Sequence, residues 1–230
     1  MRAIGKGPWE KNPHFCAQCY TMLQREAGGV EIELSMLFAD VRGSTGLAER
    51  LGTREFTELL NRFYRAAAQI VIDSDGMVDK FVGDEVVALF VPGWSGSEHA
   101  RRAVEAADAI LRATGHQSGQ PWLPVGVGVH TGIAYVGTVG VGGMVTDFTA
   151  LGDAVNTTAR LASTARAGEV LVSIDSAAAA GLDTEGLEPE SLELRGRVER
   201  LVAYALPAGQ IMDRLGDGLA AGHGTGPAVR

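Results

Sequence analysis

The chain has 230 residues and a formal net charge of −8. This length is enough to bury one substantial hydrophobic core, and we expect a single domain with short tails. Binding to nucleic acid at physiological salt requires a cationic face, so the acidic balance argues against a nucleic-acid partner. We expect a cytoplasmic protein that obtains the positive charge it needs from metal ions.

Residues 1–30 form an N-terminal segment of different composition, with His14, Cys16 and Cys19 as its distinctive side chains. Residues 1–12 contain no apolar stretch of the kind found in a signal peptide. One Cys-x-x-Cys with one histidine provides too few ligands for a closed zinc site in one chain. We therefore favour an ordinary pair of reduced thiols, with a metal site shared across a dimer, or a redox sensor, as alternatives.

The core is predicted to begin near Glu31 with a strand, a turn and a helix. Residues 34–39 form an apolar run of strand length that ends at Asp40, and the turn-rich segment 43–46 follows. A helix is predicted from Thr53, which can cap it, because the apolar residues beyond it recur at helical spacing.

A hairpin and a second helix are predicted next. Residues 77–82 and 86–91 are short apolar runs separated by Gly83-Asp84-Glu85, which predicts a tight turn that exposes an acid at a fixed place. Residues 100–111 have the apolar spacing of an amphipathic helix.

The segment 123–145 contains no Asp, Glu, Lys or Arg and is longer than the ~18 residues that would indicate a membrane-spanning helix. Its valines and glycines alternate over 125–129, however, which is the period of a strand. We therefore predict a buried hairpin of 125–130 with 133–139 and no membrane span.

The rest of the chain completes an α+β pattern. A strand at 148–151 leads into a helix at 153–165, and later strands fit residues 170–173, 192–195 and 201–206. Because hairpins and helices are intermixed, we expect an antiparallel sheet covered by helices rather than a parallel doubly wound fold. Residues 207–230 are rich in glycine and lack apolar periodicity, so we expect a mobile tail.

Two acids occupy positions where a sheet can hold a carboxylate rigidly. Asp40 ends a buried strand, and Asp84 lies in a hairpin turn. Two such acids can share two cations, and hard oxygen ligands of this kind suit Mg²⁺ or Mn²⁺. Either acid alone is more often a loop cap or an ordinary turn residue.

Other polar residues are suited to binding phosphate. The backbone N–H groups of Gly43, Ser44 and Thr45 can surround a phosphate, assisted by the N-terminus of the following helix. Asn156 and Arg160 are four residues apart on one helix face, where they can orient a ribose oxygen and neutralise charge on a phosphorane. Arg195 and Arg197 are further candidates for phosphate contact, or else simple surface charges.

Three segments resemble, in order and spacing, the successive signatures of class III adenylate and guanylate cyclases. They are FADVRGST at 38–45, KFVGDE at 80–85, and FTALGDAVN at 148–156 followed by Arg160. The agreement extends over residues 33–206, and linked motifs are far more specific than any single one. The resemblance implies a ferredoxin-like α+β catalytic domain at 31–206 that forms a head-to-tail homodimer with active sites at the interface.

The resemblance also implies a role for each matched residue. Asp40 and Asp84 would bind two divalent cations, Mg²⁺ or Mn²⁺, with the Val41 carbonyl completing one site. The remaining roles would be purine selection by Lys80 and Thr149, transition-state stabilisation by Asn156 and Arg160, and triphosphate binding by Arg195. In the family the metal-binding acids come from one subunit and the other groups from its partner, so a monomer should be inactive.

The implied reaction converts ATP into 3',5'-cyclic AMP and pyrophosphate. One metal would lower the pKa of the ribose 3'-OH for in-line attack on the α-phosphate, while the other steadies the leaving pyrophosphate. Adenine N1 accepts and its 6-amino group donates, which complements a Lys80 ammonium and a Thr149 hydroxyl. Many family members carry Asp in place of Thr149, and the nearby Asp147 is an alternative acceptor; Ser44 replaces a common Phe.

Three other functions remain open. A guanylate cyclase would share every metal-binding and phosphate-binding residue. A catalytically inactive nucleotide-binding module is disfavoured because both acids, the Asn and the Arg are present. A diguanylate cyclase ranks last, since Gly83-Asp84-Glu85 is not the longer Gly-Gly-acid signature of that family.

Overall fold

The computed structural model describes residues 28–141, 145–192 and 200–216. Its strands are β1 Gly29–Val41, β2 Met77–Val82, β3 Glu85–Phe90, β4 Val125–Val141, β5 Val145–Leu151, β6 Glu169–Ser173, β7 Glu190–Leu192 and β8 Leu201–Pro207. Its helices are α1 Ser44–Asp73, α2 Pro92–Ser95, α3 His99–Ala113, α4 Asp153–Thr164, α5 Ile174–Ala180 and α6 Ile211–Arg214.

Within these residues the strands form one eight-stranded sheet in the order β2-β3-β1-β4-β6-β8-β7, with β5 paired to β4. Neighbouring strands are antiparallel except for β4 and β6, which are parallel. This mostly antiparallel sheet with helices packed on it confirms the predicted α+β fold class.

The sheet separates two apolar clusters because successive strand residues point to opposite faces. From β1, residues Leu37 and Ala39 belong to the larger cluster, which also includes buried side chains of α1 and α3. Met36 and Phe38 belong to the other cluster, which includes residues of α4 and β5. Alternation therefore assigns Asp40 to the same face as α4.

The predicted hairpin within residues 125–139 is wrong, because β4 is one continuous strand. The whole of β1 pairs with it, from Gly29 opposite Gly137 to Val41 opposite Val125. The valines of this alternating segment point to one face of the sheet, and the glycines lie on the other face. The valines are fully buried, whereas a Cβ on Gly128 would collide with the backbone of α4 at Leu161 and Ala162. Glycine thus permits the close approach of α4, and the actual hairpin joins β4 to β5.

The prediction missed a helical segment at the start of α1. This segment begins at Ser44 and ends at a break at Gly52, where φ is 77° and ψ is 163°, and the predicted helix follows from Thr53. The turn after β1 consists of Arg42 and Gly43, and Gly43 has the left-handed conformation, with φ at 65°. Ser44 and Thr45 are therefore the first residues of a helix, not part of a loop.

Residues beyond Pro207 are packed against the domain as far as the structure describes them, which differs from the expected mobile tail. Ile211 of α6 and Leu215 are buried, and Arg101 of α3 donates to the Leu215 carbonyl at 2.7 Å. These contacts extend the folded unit to Gly216.

Some predicted features fall outside the described residues, namely His14, Cys16, Cys19, Arg195 and Arg197. Of the helices that the structure describes, none combines the length and the apolar character needed to cross a bilayer.

Candidate active site

The end of β1 and the turn between β2 and β3 bring three acidic residues together at one end of these strands. Asp40 is paired directly with Glu85 in the antiparallel register of β1 and β3. Asp84 precedes Glu85 in the turn, where Gly83 has φ at 62°. Directly opposed residues of an antiparallel pair lie on the same face. Asp40, Asp84 and Glu85 are called the acid edge below.

Charge is concentrated at the acid edge. Burial and the neighbouring Asp84 raise the pKa of Glu85 to about 7, although Arg42 acts in the opposite direction. Burial and Asp84 also raise the pKa of Tyr64, whose hydroxyl donates to the Gly83 carbonyl. Asp84 is a shared cause of both shifts, which places its carboxyl group close to Tyr64 and Glu85.

Arg42 connects the acid edge to α4. Its guanidinium forms an ion pair with Asp40 and donates to the Ser163 carbonyl at 2.6 Å. Burial lowers the pKa of Arg42, while Asp84 and Glu85 oppose that shift. One cation is thus shared by three nearby carboxylates, so the acid edge retains an excess of negative charge.

This donor set fits hard divalent cations. No cluster of three or more His, Cys, Asp or Glu side chains suited to a metal occurs in the described part of the chain. Mg²⁺ usually needs only one or two carboxylates, because it keeps waters and takes further ligands from phosphates. Asp40 and Asp84 can supply these carboxylates, and the Val41 carbonyl beside them can supply a further oxygen ligand.

The predicted phosphate-binding segment is a turn and a helix N-terminus. The Leu47 N–H donates to the Gly43 carbonyl at 3.0 Å, which closes the first turn of α1. The N–H groups at the start of a helix have no partner within that helix and carry its positive partial charge. Ser44 and Thr45 present them immediately after the acid edge.

A second cluster of polar side chains lies on β2 and β5. Lys80 Nζ is 3.3 Å from Asp147 and 3.4 Å from Asp79. The Thr149 hydroxyl donates to Asp79 at 2.7 Å, and both of these residues are buried. Because β2 and β5 are not neighbours in the sheet, the hairpin of β4 and β5 must curl over the sheet to make this contact.

A cleft of about 510 Å³ opens beside these residues and is here called the β2 cleft. It is lined by Ala68, Ile72, Val78, Asp79, Lys80, Phe81 and Asp147. Lys80 therefore faces open space, whereas Thr149 lies just behind the lining. Apolar walls with a few polar groups are typical of sites for planar ligands.

Asn156 and Arg160 both lie on the exposed side of α4. The opposite side buries Ala154, Thr157, Thr158, Leu161 and Ala162. The shared face predicted from their spacing is confirmed, and both polar side chains are available to a ligand or a partner.

Sequence reasoning missed Glu85, Tyr64 and Asp79. Asp79 had a readable signal, because it is an acid inside an otherwise apolar strand and adjoins Lys80. Tyr64 had none, since its contact with Gly83 depends on how α1 packs against the hairpin.

Comparisons with known proteins agree with this geometry. Residues 30–207 match the family described as adenylate and guanylate cyclase catalytic domain. An adenylate cyclase of Anabaena cylindrica is 33% identical over 134 residues, which is 56% of this chain. Adenylate cyclase 1 of Rhizobium meliloti is 30% identical over 135 residues. The matches span only 26% and 20% of those relatives.

Two solved structures are similar over most of the chain. The guanylyl cyclase Cya2 has a TM-score of 0.67 at 28% identity and covers 77% of this chain and 93% of its own. The adenylyl cyclase CyaB from P. aeruginosa has a TM-score of 0.65 at 26% identity, covering 77% and 94%. With more than half of its residues matched to the family, the chain belongs to the adenylate and guanylate cyclase catalytic domains.

Proposed function

We propose that the chain is an adenylate cyclase that converts ATP into 3',5'-cyclic AMP and pyrophosphate at composite sites of a homodimer. The observation that carries this proposal is the acid edge. Asp40 and the turn that holds Asp84 come from distant parts of the sequence, and the register of β1 with β3 brings them together.

In this proposal Asp40, Asp84 and the Val41 carbonyl hold two divalent cations, Mg²⁺ or Mn²⁺. When bound, such ions would make the ribose 3'-OH more acidic and neutralise charge on the departing pyrophosphate. The N–H groups of Gly43, Ser44 and Thr45 would bind triphosphate oxygens at the N-terminus of α1. Arg195 stays a proposed triphosphate contact outside the described residues.

The reaction makes one bond and breaks one. The ribose 3'-oxygen bonds to the α-phosphorus, the bond from that phosphorus to the bridging oxygen breaks, and the hydroxyl proton passes to solvent. Arg160 donates hydrogen bonds to the α-phosphate oxygens as charge grows there, and Asn156 orients the ribose. Little proton transfer by side chains is needed for phosphoryl transfer of this type.

Two features support a homodimer. Asn156 and Arg160 are exposed on α4, so they can complete the site of another copy. Large apolar side chains are also exposed on β1, β4 and β5, where Val30 is 56%, Ile133 is 65% and Leu151 is 49% exposed. Exposed apolar surface of this kind is typical of protein interfaces.

Specificity for ATP is proposed from Lys80 and Thr149. The Lys80 ammonium would donate to adenine N1, and the Thr149 oxygen would accept from the 6-amino group. Guanine presents the reverse pattern at both atoms, so it would be bound less well.

The direct test is to incubate the purified protein with ATP or GTP and Mn²⁺ and to separate the products by chromatography. We expect cyclic AMP and pyrophosphate from the wild type and neither from the Asp40→Asn variant. Production of cyclic GMP in preference to cyclic AMP would contradict the substrate assignment. Absence of both cyclic nucleotides would contradict the activity.

A further inference from the structure

We propose that Asp79 is a positioning residue for base selection, because it fixes the Thr149 hydroxyl as a hydrogen-bond acceptor. This inference rests on the proposed function and adds a residue that the sequence signatures do not include. It explains how a threonine, which can ordinarily both donate and accept, distinguishes adenine from guanine.

Strand β2 is irregular at Asp79. Its pairing with β3 runs through Val78 opposite Ala88 and then resumes at Lys80 opposite Val87, so Asp79 is an extra residue of β2 at a bulge. Such bulges re-aim a side chain relative to a regular strand. Here the side chain of Asp79 is 2% exposed, whereas the side chain of its neighbour Lys80 is 38% exposed. The bulge therefore turns an acid inward directly behind a cationic side chain.

The Thr149 hydroxyl has a single proton to donate. Its oxygen lies 2.7 Å from the Asp79 carboxylate and 3.4 Å from the Ala150 carbonyl. A charged acceptor at the shorter distance forms much the stronger hydrogen bond, so the proton is directed to Asp79. An ionised carboxylate has no proton to return. Only the lone pairs of the Thr149 oxygen are then left for a ligand.

Thr149 is 3% exposed, so a ligand must gain access to it. Lys80 contacts the same Asp79 oxygen as Thr149, at 3.4 Å, and bridges it to Asp147, at 3.3 Å. The outer ion pair joins two partly exposed side chains, and ion pairs of this kind contribute little stability. A purine base entering the β2 cleft can therefore displace Asp147, take the Lys80 donor and reach the Thr149 oxygen.

Base selection follows from this arrangement. The adenine 6-amino group donates to Thr149, whereas guanine O6 would place an acceptor against an acceptor. A free threonine could rotate its proton toward O6, but Asp79 prevents that rotation. A site that holds a fixed polar group rejects a ligand that leaves this group unpaired.

The test measures the ratio of kcat/KM for ATP to kcat/KM for GTP in four variants. Asp79→Asn introduces an amide that can donate to the Thr149 oxygen and free its proton, so we expect the ratio to fall about tenfold. Thr149→Val should lower the ratio by a similar factor, Thr149→Ser should keep it, and Asp79→Asn combined with Thr149→Val should change it no further. Asp147→Asn tests the alternative acceptor on β5. Asp73→Asn is the matched control, because it removes a charge from the exposed end of α1 and should keep the ratio.

The outcomes separate this inference from the proposed function. If Asp79→Asn lowers kcat/KM for ATP and for GTP equally, its role is merely structural and the inference is overturned. The inference is also overturned if Asp147→Asn lowers the ratio and Thr149→Val does not. A wild type that neither binds nor converts ATP or GTP with Mn²⁺ would instead contradict the proposed function. If the wild type binds without turnover, the same ratio is measured from dissociation constants.

Discussion

The acid edge and the exposed face of α4 carry the two halves of the proposed chemistry, and they are built differently. The acid edge is assembled within one chain by the pairing of Asp40 with Glu85 and is restrained by Arg42. Asn156 and Arg160 instead stand exposed on a helix whose other side is packed. In the proposed site, the cation-binding half would therefore be preorganised in each chain, and the transition-state half would be supplied by a second copy.

The largest loss of activity is expected from a substitution in the acid edge. Asp40→Asn should lower the rate of cyclic AMP formation by on the order of a thousandfold, because it removes a ligand that neutralises transition-state charge through the cations. The measurement is product formation with Mn²⁺. Asp73→Asn is the matched control, since it removes the same charge from the exposed end of α1 and should change the rate by less than about twofold. Loss of less than tenfold in Asp40→Asn would rule out the proposed role.

The α4 face is tested by Arg160→Ala. We expect kcat to fall by about a hundredfold to a thousandfold with a smaller change in KM, because the guanidinium acts mainly as charge grows on the α-phosphate. Arg166→Ala is the control, because this nearby arginine is 78% exposed and has no proposed role. Similar losses in the two variants would show that general charge, rather than position, matters.

A substitution at Gly128 can disturb the packing of α4 more than it disturbs the acid edge. Gly128→Ala should lower the free energy of unfolding by about 1–3 kcal/mol, because its Cβ would lie 2.6 Å from the Leu161 side chain and against the α4 backbone. Urea unfolding measures the loss. Gly93→Ala, with nothing within 4 Å of its Cβ, should cost much less. Equal losses would contradict the close packing of α4 on β4.

In the folded Gly128→Ala protein, α4 must shift while β1 and β3 keep their register. We therefore expect kcat to fall by a larger factor than Mn²⁺ affinity, which α4 affects indirectly through the contact of Ser163 with Arg42. A variant that lost both equally would show that the two halves are not independent.

The smallest effect concerns pH. Burial lowers the pKa of His99 below its ordinary value, although Glu33 and Glu98 oppose the shift. As pH falls through about 6.5, the unfolded chain therefore takes up a proton before the folded one, and stability decreases toward lower pH. His99→Gln should show a shallower loss of unfolding free energy between about pH 7.5 and pH 5.5. The slope that remains combines two opposite contributions, from His116, whose pKa burial also lowers, and from Glu85, whose pKa is raised to about 7. Identical slopes in wild type and variant would contradict this assignment.

Sequence patterns predicted the parts of the site that depend on local structure. The strand ending at Asp40, the turn at Asp84 and the common face of Asn156 and Arg160 each follow from periodicity within one element. The continuity of β4 did not follow, because it is set by pairing with the whole length of β1. The same holds for Asp79, whose inward orientation depends on a register shift between β2 and β3.

The central claim is that each active site combines the acid edge of one subunit with the α4 face of its partner. The most direct measurement co-expresses Asp40→Asn and Asn156→Ala chains with different affinity tags and isolates the heterodimer through both tags. One of its two sites is then intact, so we predict about half of the wild-type rate of cyclic AMP formation, from two parents that are each nearly inactive. A purified heterodimer as inactive as its parents would contradict the shared-site account.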